Sequence, residues 1–161
     1  DILLWEGSCV VHEEFKGFAL ERLKRLHPEA AVLVHPESPE EVLQYADVVG
    51  STTDLIKAVT QMPNEQFIVA TDDGIFWKMH QMAPGKKLIS APTAGAGGSC
   101  ESCAHCPWMG MNSLQNLEQV LISGENEVTV EPGIRDRAVR SIQRMLDFAS
   151  QHHISGALPK G

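Results

Sequence analysis

The sequence predicts an α/β protein, a three-layer αβα unit built on a short parallel sheet, and two observations carry that prediction. Short aliphatic or β-branched runs alternate with helical patterns of about ten to seventeen residues, the order expected of parallel strands joined by crossover helices. The run from Ala30 to Val34 is apolar throughout, as a strand covered on both faces must be.

Ile2 to Trp5 reads as the first strand, placed directly after Asp1 with no room for a leading helix. A chain that starts so abruptly is expected to be cut from a longer one. Phe15, Phe18, Ala19, Leu23 and Leu26 then recur at three- and four-residue steps and give one apolar helical face, ended near His27-Pro28. After the Ala30–Val34 strand, Ser38-Pro39-Glu40-Glu41 supplies a cap, a proline at the first helical position and two acids in the first turn. That helix is expected to run to about Val49. Gly50 stops it, and Ser51-Thr52-Thr53-Asp54 opens another through Val59. Phe67–Ala70 is a strand, Gly74–Met82 a helix and Lys87–Ile89 a strand. Residues 1–93 are thus read as the αβα domain. Residues 94–161 hold a cysteine-containing loop followed by a helix-strand-helix segment: a helix from Trp108 to Leu121, a strand from Glu127 to Val130, and a helix carrying Ile134, Ala138, Ile142, Met145, Leu146 and Ala149.

With 161 residues, 43% of them hydrophobic and 21% charged, the chain has the apolar content of a globular unit with its own core. No apolar run approaches the roughly eighteen residues of a membrane span, and no secretory leader pattern opens the chain, so the expected compartment is the cytoplasm. The formal charge of -8 argues against a nucleic-acid surface, which needs clustered Lys and Arg. The one basic concentration, Arg135, Arg137, Arg140 and Arg144, has the spacing of a solvated helix face.

Four cysteines, Cys9, Cys100, Cys103 and Cys106, in a chain without an export signal point to metal or redox chemistry ahead of disulfide scaffolding. Cys100-Glu-Ser-Cys103-Ala-His-Cys106-Pro107 places three thiols at three-residue steps, which can converge on one soft metal centre. The spacing disfavours zinc, whose sites pair Cys or His across a dozen or more residues, and it lacks the fourth cysteine of a two-cluster ferredoxin. The glycine-rich Ala94–Ser99 stretch before it matches neither a P-loop nor a dinucleotide fingerprint. Cys9 leaves the carboxyl end of a strand with His12 three residues on, where it serves either as a small core hydrophobe or as a ligand. His35 and Glu37 follow the second strand and suit either shared acid–base work or an incidental place beside the Ser38 cap. Ser51 and Thr52, at a helix amino terminus, suit either plain capping or anion binding.

Taken together, Gly-x-Cys9-x-x-His12, His35-Pro36-Glu37, Gly50-Ser51-Thr52, Ala91-Pro92-Thr93-Ala94-Gly95 and the Cys100 to Asn112 run resemble, in order and spacing, the quinolinate synthase family from Trp5 to about Ala149. The resemblance implies a [4Fe–4S] cluster held by three cysteines, two of which fall on Cys9 and Cys106, with the third in an amino-terminal half that this chain lacks. It implies that Cys100 and Cys103 can form a redox-sensitive disulfide, all three thiols on iron being the alternative. It implies condensation of iminoaspartate with dihydroxyacetone phosphate to quinolinate in NAD biosynthesis, with L-aspartate oxidase as the pathway neighbour that makes iminoaspartate. Glu37 and His35 would move protons, and His12, His35, Glu37, Ser51 and Thr52 would bind substrate. The family fold is three similar αβα domains around a central cluster, and residues 1–93 resemble the third. A different class of reading is a small iron–sulfur or zinc-binding, electron-transfer module on the Cys-x-x-Cys-x-x-Cys run. A thiol–disulfide switch on an inert α/β domain is a third.

Overall fold

The computed structural model describes residues 7–93 and 104–152. The chain divides into two compact units, Asp1–Asn112 and Ser113–Gly161.

In the first unit the element order is α1 (Val10–Glu13), α2 (Gly17–Leu26), β1 (Ala31–Val34), α3 (Glu40–Leu43), β2 (Val48–Val49), α4 (Thr52–Gln61), β3 (Gln66–Ala70), α5 (Ile75–Met82) and β4 (Lys87–Ser90), closed by a 3₁₀ turn at Met109–Met111. The four strands form one all-parallel sheet in the order β2-β1-β3-β4, so the α/β expectation holds. The layers follow from strand alternation. Val32, Val34, Ile68 and Ala70 point to one face and meet Phe15, Leu20 and Val42. Ala31, Leu33, Phe67 and Val69 point to the other and meet Leu55, Ala58, Val59 and Met79. Both faces of β1 are buried, which is why its sequence carries no polar alternation.

The first expected strand, Ile2–Trp5, lies outside the described residues. Three other elements differ from expectation. The helix opened by Pro39 stops at Leu43 instead of Val49, and Val48–Val49 becomes a strand paired with Leu33–Val34. The reason is tertiary: Asp47 brackets Val32, its N–H donating to the Val32 carbonyl at 2.8 Å and its carboxylate accepting the Val32 N–H at 2.7 Å. The β-branched pair is thereby delivered to the sheet edge. Ser38 does not cap this helix. Pro39 holds the cap position, and the buried Ser38 hydroxyl has no partner among the described residues.

The expected Trp108–Leu121 helix is split into the 3₁₀ turn and α6 (Leu114–Ser123), because the Ser113 hydroxyl accepts the Asn116 N–H and starts a new helix. Between α6 and α7 (Pro132–Gln151) the run expected as a Glu127–Val130 strand is irregular backbone. Both helices are present, and Val128 and Val130 are exposed rather than paired. No described helix is long and apolar enough to cross a membrane.

Candidate functional site

The strand order reverses direction between β1 and β3, since β1 is followed outward by β2 on one side and β3 by β4 on the other. In an open parallel sheet such a switch point leaves a crevice beyond the carboxyl ends of the two central strands. His35 leaves β1 there, its N–H donating to the Ala70 carbonyl at 3.0 Å, and Thr71 leaves β3 beside it. His12, from α1, fills the space between.

His12 is buried, with Nδ1 3.0 Å from Glu37 Oε2 and Nε2 3.1 Å from the Thr71 hydroxyl. A carboxylate only accepts, so with Glu37 ionised Nδ1 carries the hydrogen and donates it. The His35 ring lies flat on His12, centroids 4.1 Å apart and planes 8° from parallel. The Glu37 N–H donates to His35 Nδ1 at 3.4 Å, which places the hydrogen of a neutral His35 on Nε2. His35 Nδ1 and Glu37 Oε2 are 3.8 Å apart. The two stacked imidazoles thus carry opposite tautomers, His12 on the Glu37 carboxylate and His35 on the Glu37 backbone N–H.

Burial holds the His35 proton affinity below the ordinary imidazole value, the neighbouring His12 lowers it further, and Glu37 opposes both. The cause is desolvation of the charged form, reinforced by like charge. The neutral form of His35 is therefore favoured. Glu37 keeps 56% of its side chain exposed while one carboxylate oxygen is held by His12.

Cys9 sits at the amino end of α1, half-buried, and ligand atoms of Cys9, His12 and Glu37 all lie within 4.8 Å of one another. Cys106 is also a half-buried free thiol. Its sulfur accepts the Met109 N–H at 3.5 Å, and its own N–H donates to Asp72 Oδ2 at 2.8 Å. Cys9 and Cys106 both pack against the same apolar cluster on the α2–α3 side of the sheet. Cys100 and Cys103 lie outside the described residues, as does the Ala94–Ser99 loop.

Ser51 and Thr52 stand one strand away, at the carboxyl end of β2. Ser51 closes a capping box: its N–H and hydroxyl donate to Asp54 Oδ2 at 3.1 and 2.6 Å, and its Oγ accepts the Asp54 N–H at 3.4 Å. The Ser51 hydroxyl bond, then its backbone bond, hold the Asp54 carboxyl below its usual range. A carboxylate already occupies the anion position of this helix end. No described contact joins Ser51 or Thr52 to His12, His35 or Glu37. Ala91–Thr93 closes the other flank at the end of β4, where the Pro92 carbonyl accepts the Lys16 N–H at 3.3 Å.

Two residues escaped the sequence reading, Thr71 and Asp72. Their signal was positional. They follow a strand of a parallel sheet at its carboxyl edge, where ligand-binding side chains gather, and a Thr-Asp-Asp-Gly turn there merits the same scrutiny as His35 and Glu37.

The arrangement defines a class: an α/β protein with a cluster of two imidazoles and a carboxylate at the sheet switch point, Cys9 within reach of it, and a second free thiol, Cys106, on the same apolar layer. The sequence model of the quinolinate synthetase A protein family matches residues 1–147, and the chain belongs to that family.

Proposed function

We propose that this chain is the carboxyl-terminal part of a quinolinate synthase that condenses iminoaspartate with dihydroxyacetone phosphate to quinolinate, phosphate and two waters. The observation that carries the reading is the His12–Glu37–His35 constellation at the switch point, with Cys9 in reach of it. Closing a pyridine ring from these substrates requires proton removal beside a carbonyl or imine and protonation of departing hydroxyls. A carboxylate with one oxygen held and the other exposed, next to a neutral imidazole, is equipped to do both.

In this reading Glu37 takes a proton from the condensing carbon at its exposed oxygen. Neutral His35 accepts a proton at Nδ1 or delivers one from Nε2–H during the dehydrations. His12 exchanges its Nδ1–H bond between Glu37 and a substrate oxygen, which makes it the orienting residue. Ser51 and Thr52 bind substrate only if a phosphate or carboxylate displaces Asp54 from the helix end, so they are the weaker part of the substrate assignment.

The donor set suits a [4Fe–4S] cluster. Cys9 and Cys106 are free, half-buried thiols on one apolar layer, and an N–H already points at the Cys106 sulfur, as hydrogen bonds to cluster thiolates do. A third thiolate would come from a segment of the enzyme outside these residues, or from Cys100 or Cys103 if all three thiols of the run bind iron; otherwise these two would form the redox-sensitive disulfide. The chemistry a cluster would supply is Lewis acidity, from an iron that three thiolates leave open. Residues 1–93 would then form the third αβα domain of the enzyme, in the cytoplasm, with L-aspartate oxidase supplying iminoaspartate.

Co-expression with the upstream half, followed by an anaerobic quinolinate assay, tests the reading. Product is expected, and an intact cluster without product would overturn it. Replacing Glu37 by Gln is expected to abolish turnover at unchanged iron content. Metal and sulfide analysis of the isolated chain separates the alternative: a stoichiometric cluster or zinc on this chain alone would favour a small metal-binding module on Cys100, Cys103 and Cys106.

A further inference from the structure

The turn after β3, Thr71-Asp72-Asp73-Gly74, touches both parts of the site. Thr71 is 1% exposed and offers its hydroxyl to His12 Nε2 at 3.1 Å. Asp72 divides its carboxylate, Oδ1 accepting the Gly74 N–H and Oδ2 the Cys106 N–H, each at 2.8 Å. The Asp73 N–H donates to the Ala104 carbonyl at 2.8 Å, and Asp73 Oδ1 accepts the Ser90 hydroxyl at 2.7 Å. A Cβ on Gly74 would lie 2.9 Å from Asp72 Oδ1, so a side chain there would crowd the carboxylate.

We propose that Thr71 and Asp72 are positioning residues, Thr71 fixing the ring of His12 and Asp72 fixing the backbone that presents the Cys106 thiol. The chemistry of each group supports its part. With Nδ1–H given to Glu37, a neutral His12 keeps its lone pair on Nε2 and needs a donor there, whereas an imidazolium needs an acceptor. The Thr71 hydroxyl stands at that nitrogen and, with Glu37 at the other, fixes the plane of the ring. Asp72 works through the main chain: its bond to the Cys106 N–H sets where the residue enters the 3₁₀ turn, and the Met109 N–H then aims the sulfur. Partners of this kind are worth about 10- to 100-fold in affinity or activity.

The inference rests on the quinolinate synthase reading for its activity and iron readouts, whereas the His12 resonances report on the Thr71 contact directly. In protein made from the complete coding sequence under anaerobic conditions, Thr71→Val is expected to lower kcat about 10- to 100-fold with iron content unchanged. It is also expected to shift the ¹⁵N resonances of selectively labelled His12, and Thr71→Ser should restore both. Asp72→Asn is expected to speed iron loss to a chelator on the order of tenfold while leaving the His12 resonances in place. That division between two adjacent residues is the signature of positioning. Wild-type kcat, His12 resonances and iron retention in both variants would overturn the proposal. So would a parallel loss of every property with a fall in melting temperature, which would make the turn merely structural. A wild-type protein that makes no quinolinate, yet shows the divided response of His12 and iron, would overturn the reaction assignment and leave this inference standing.

Discussion

The two units of this chain carry the same kind of apolar residues and treat them oppositely. In the first, Val32, Leu33, Val34, Phe67, Ile68 and Val69 are fully buried between two helical layers. In the second, the helices are as clearly amphipathic, yet Leu114, Leu121 and Ile122 of α6 are more than three-quarters exposed, and Ile142, Met145 and Phe148 of α7 are more than half exposed. No described residue of the second unit is buried. Amphipathic pattern specifies which face a helix would bury, and a sheet or partner face must exist before burial happens.

The largest expected effects separate the units most directly. Leu33→Ala should cost about 2–5 kcal/mol in urea unfolding, because the surrounding layers cannot collapse onto the cavity. Leu121→Ala should stay within about 0.5 kcal/mol. A comparable loss for Leu121→Ala would mean that α6 is covered in solution and would dissolve the contrast. The next pair distinguishes two ways in which alanine fails at a glycine. At Gly17 an added Cβ would run into the Glu41 carbonyl oxygen, where α2 approaches α3, so Gly17→Ala should cost about 1–3 kcal/mol by overpacking. Gly124, at the end of α6, has φ +67° and nothing within 4 Å, so Gly124→Ala should cost about 1–2 kcal/mol from backbone conformation alone. Differential scanning calorimetry of both variants checks the order.

The smallest effects lie in pH. His35 has a depressed proton affinity in the folded state, so the unfolded chain binds its proton more readily. Its contribution is complete above the ordinary value of 6.5 and is lost as pH falls through the lower, folded value. Glu131 caps α7 by accepting the Gly133 and Ile134 N–H groups at 2.9 and 2.8 Å, and these bonds hold its carboxyl below the ordinary 4.5. Its contribution is complete above 4.5 and is lost as pH falls through the lower, folded value. Acidification should therefore loosen the first unit before it frays α7, and histidine NMR resonances beside far-UV circular dichroism would show the order. Replacing His35 by Asn should remove the first transition and leave the second.

How much of this was legible in the sequence varies with the range of the interactions involved. β1, β3, β4, α2, α4, α5 and α7 could be read because each is announced by local periodicity or by a cap such as Ser51-Thr52-Thr53-Asp54. His35 and Glu37 were legible as a pair because both follow one strand, and Cys9 with His12 because both sit in one short motif. Their place in one site came from the shared sheet edge and the family resemblance, but their contacts were not legible. His12 reaches Glu37 across 25 positions and Thr71 across 59, and nothing local to α1 announces either contact. The same limit explains Val48–Val49, which continue a helical pattern in sequence but are captured by Asp47 and β1.

The sequence by itself therefore determined the layers, the Ser51 cap, the thiols and the membership of a family, since these depend on residue type and spacing along a few turns of chain. Tertiary structure decided which imidazole holds the carboxylate, which tautomer each histidine carries, and that Asp72 ties the Cys106 backbone to the end of β3. The physical reason is that a hydrogen bond is fixed by distances of a few tenths of an ångström between groups far apart in sequence. Only the strand order, reversing between β1 and β3, brings those groups to one crevice.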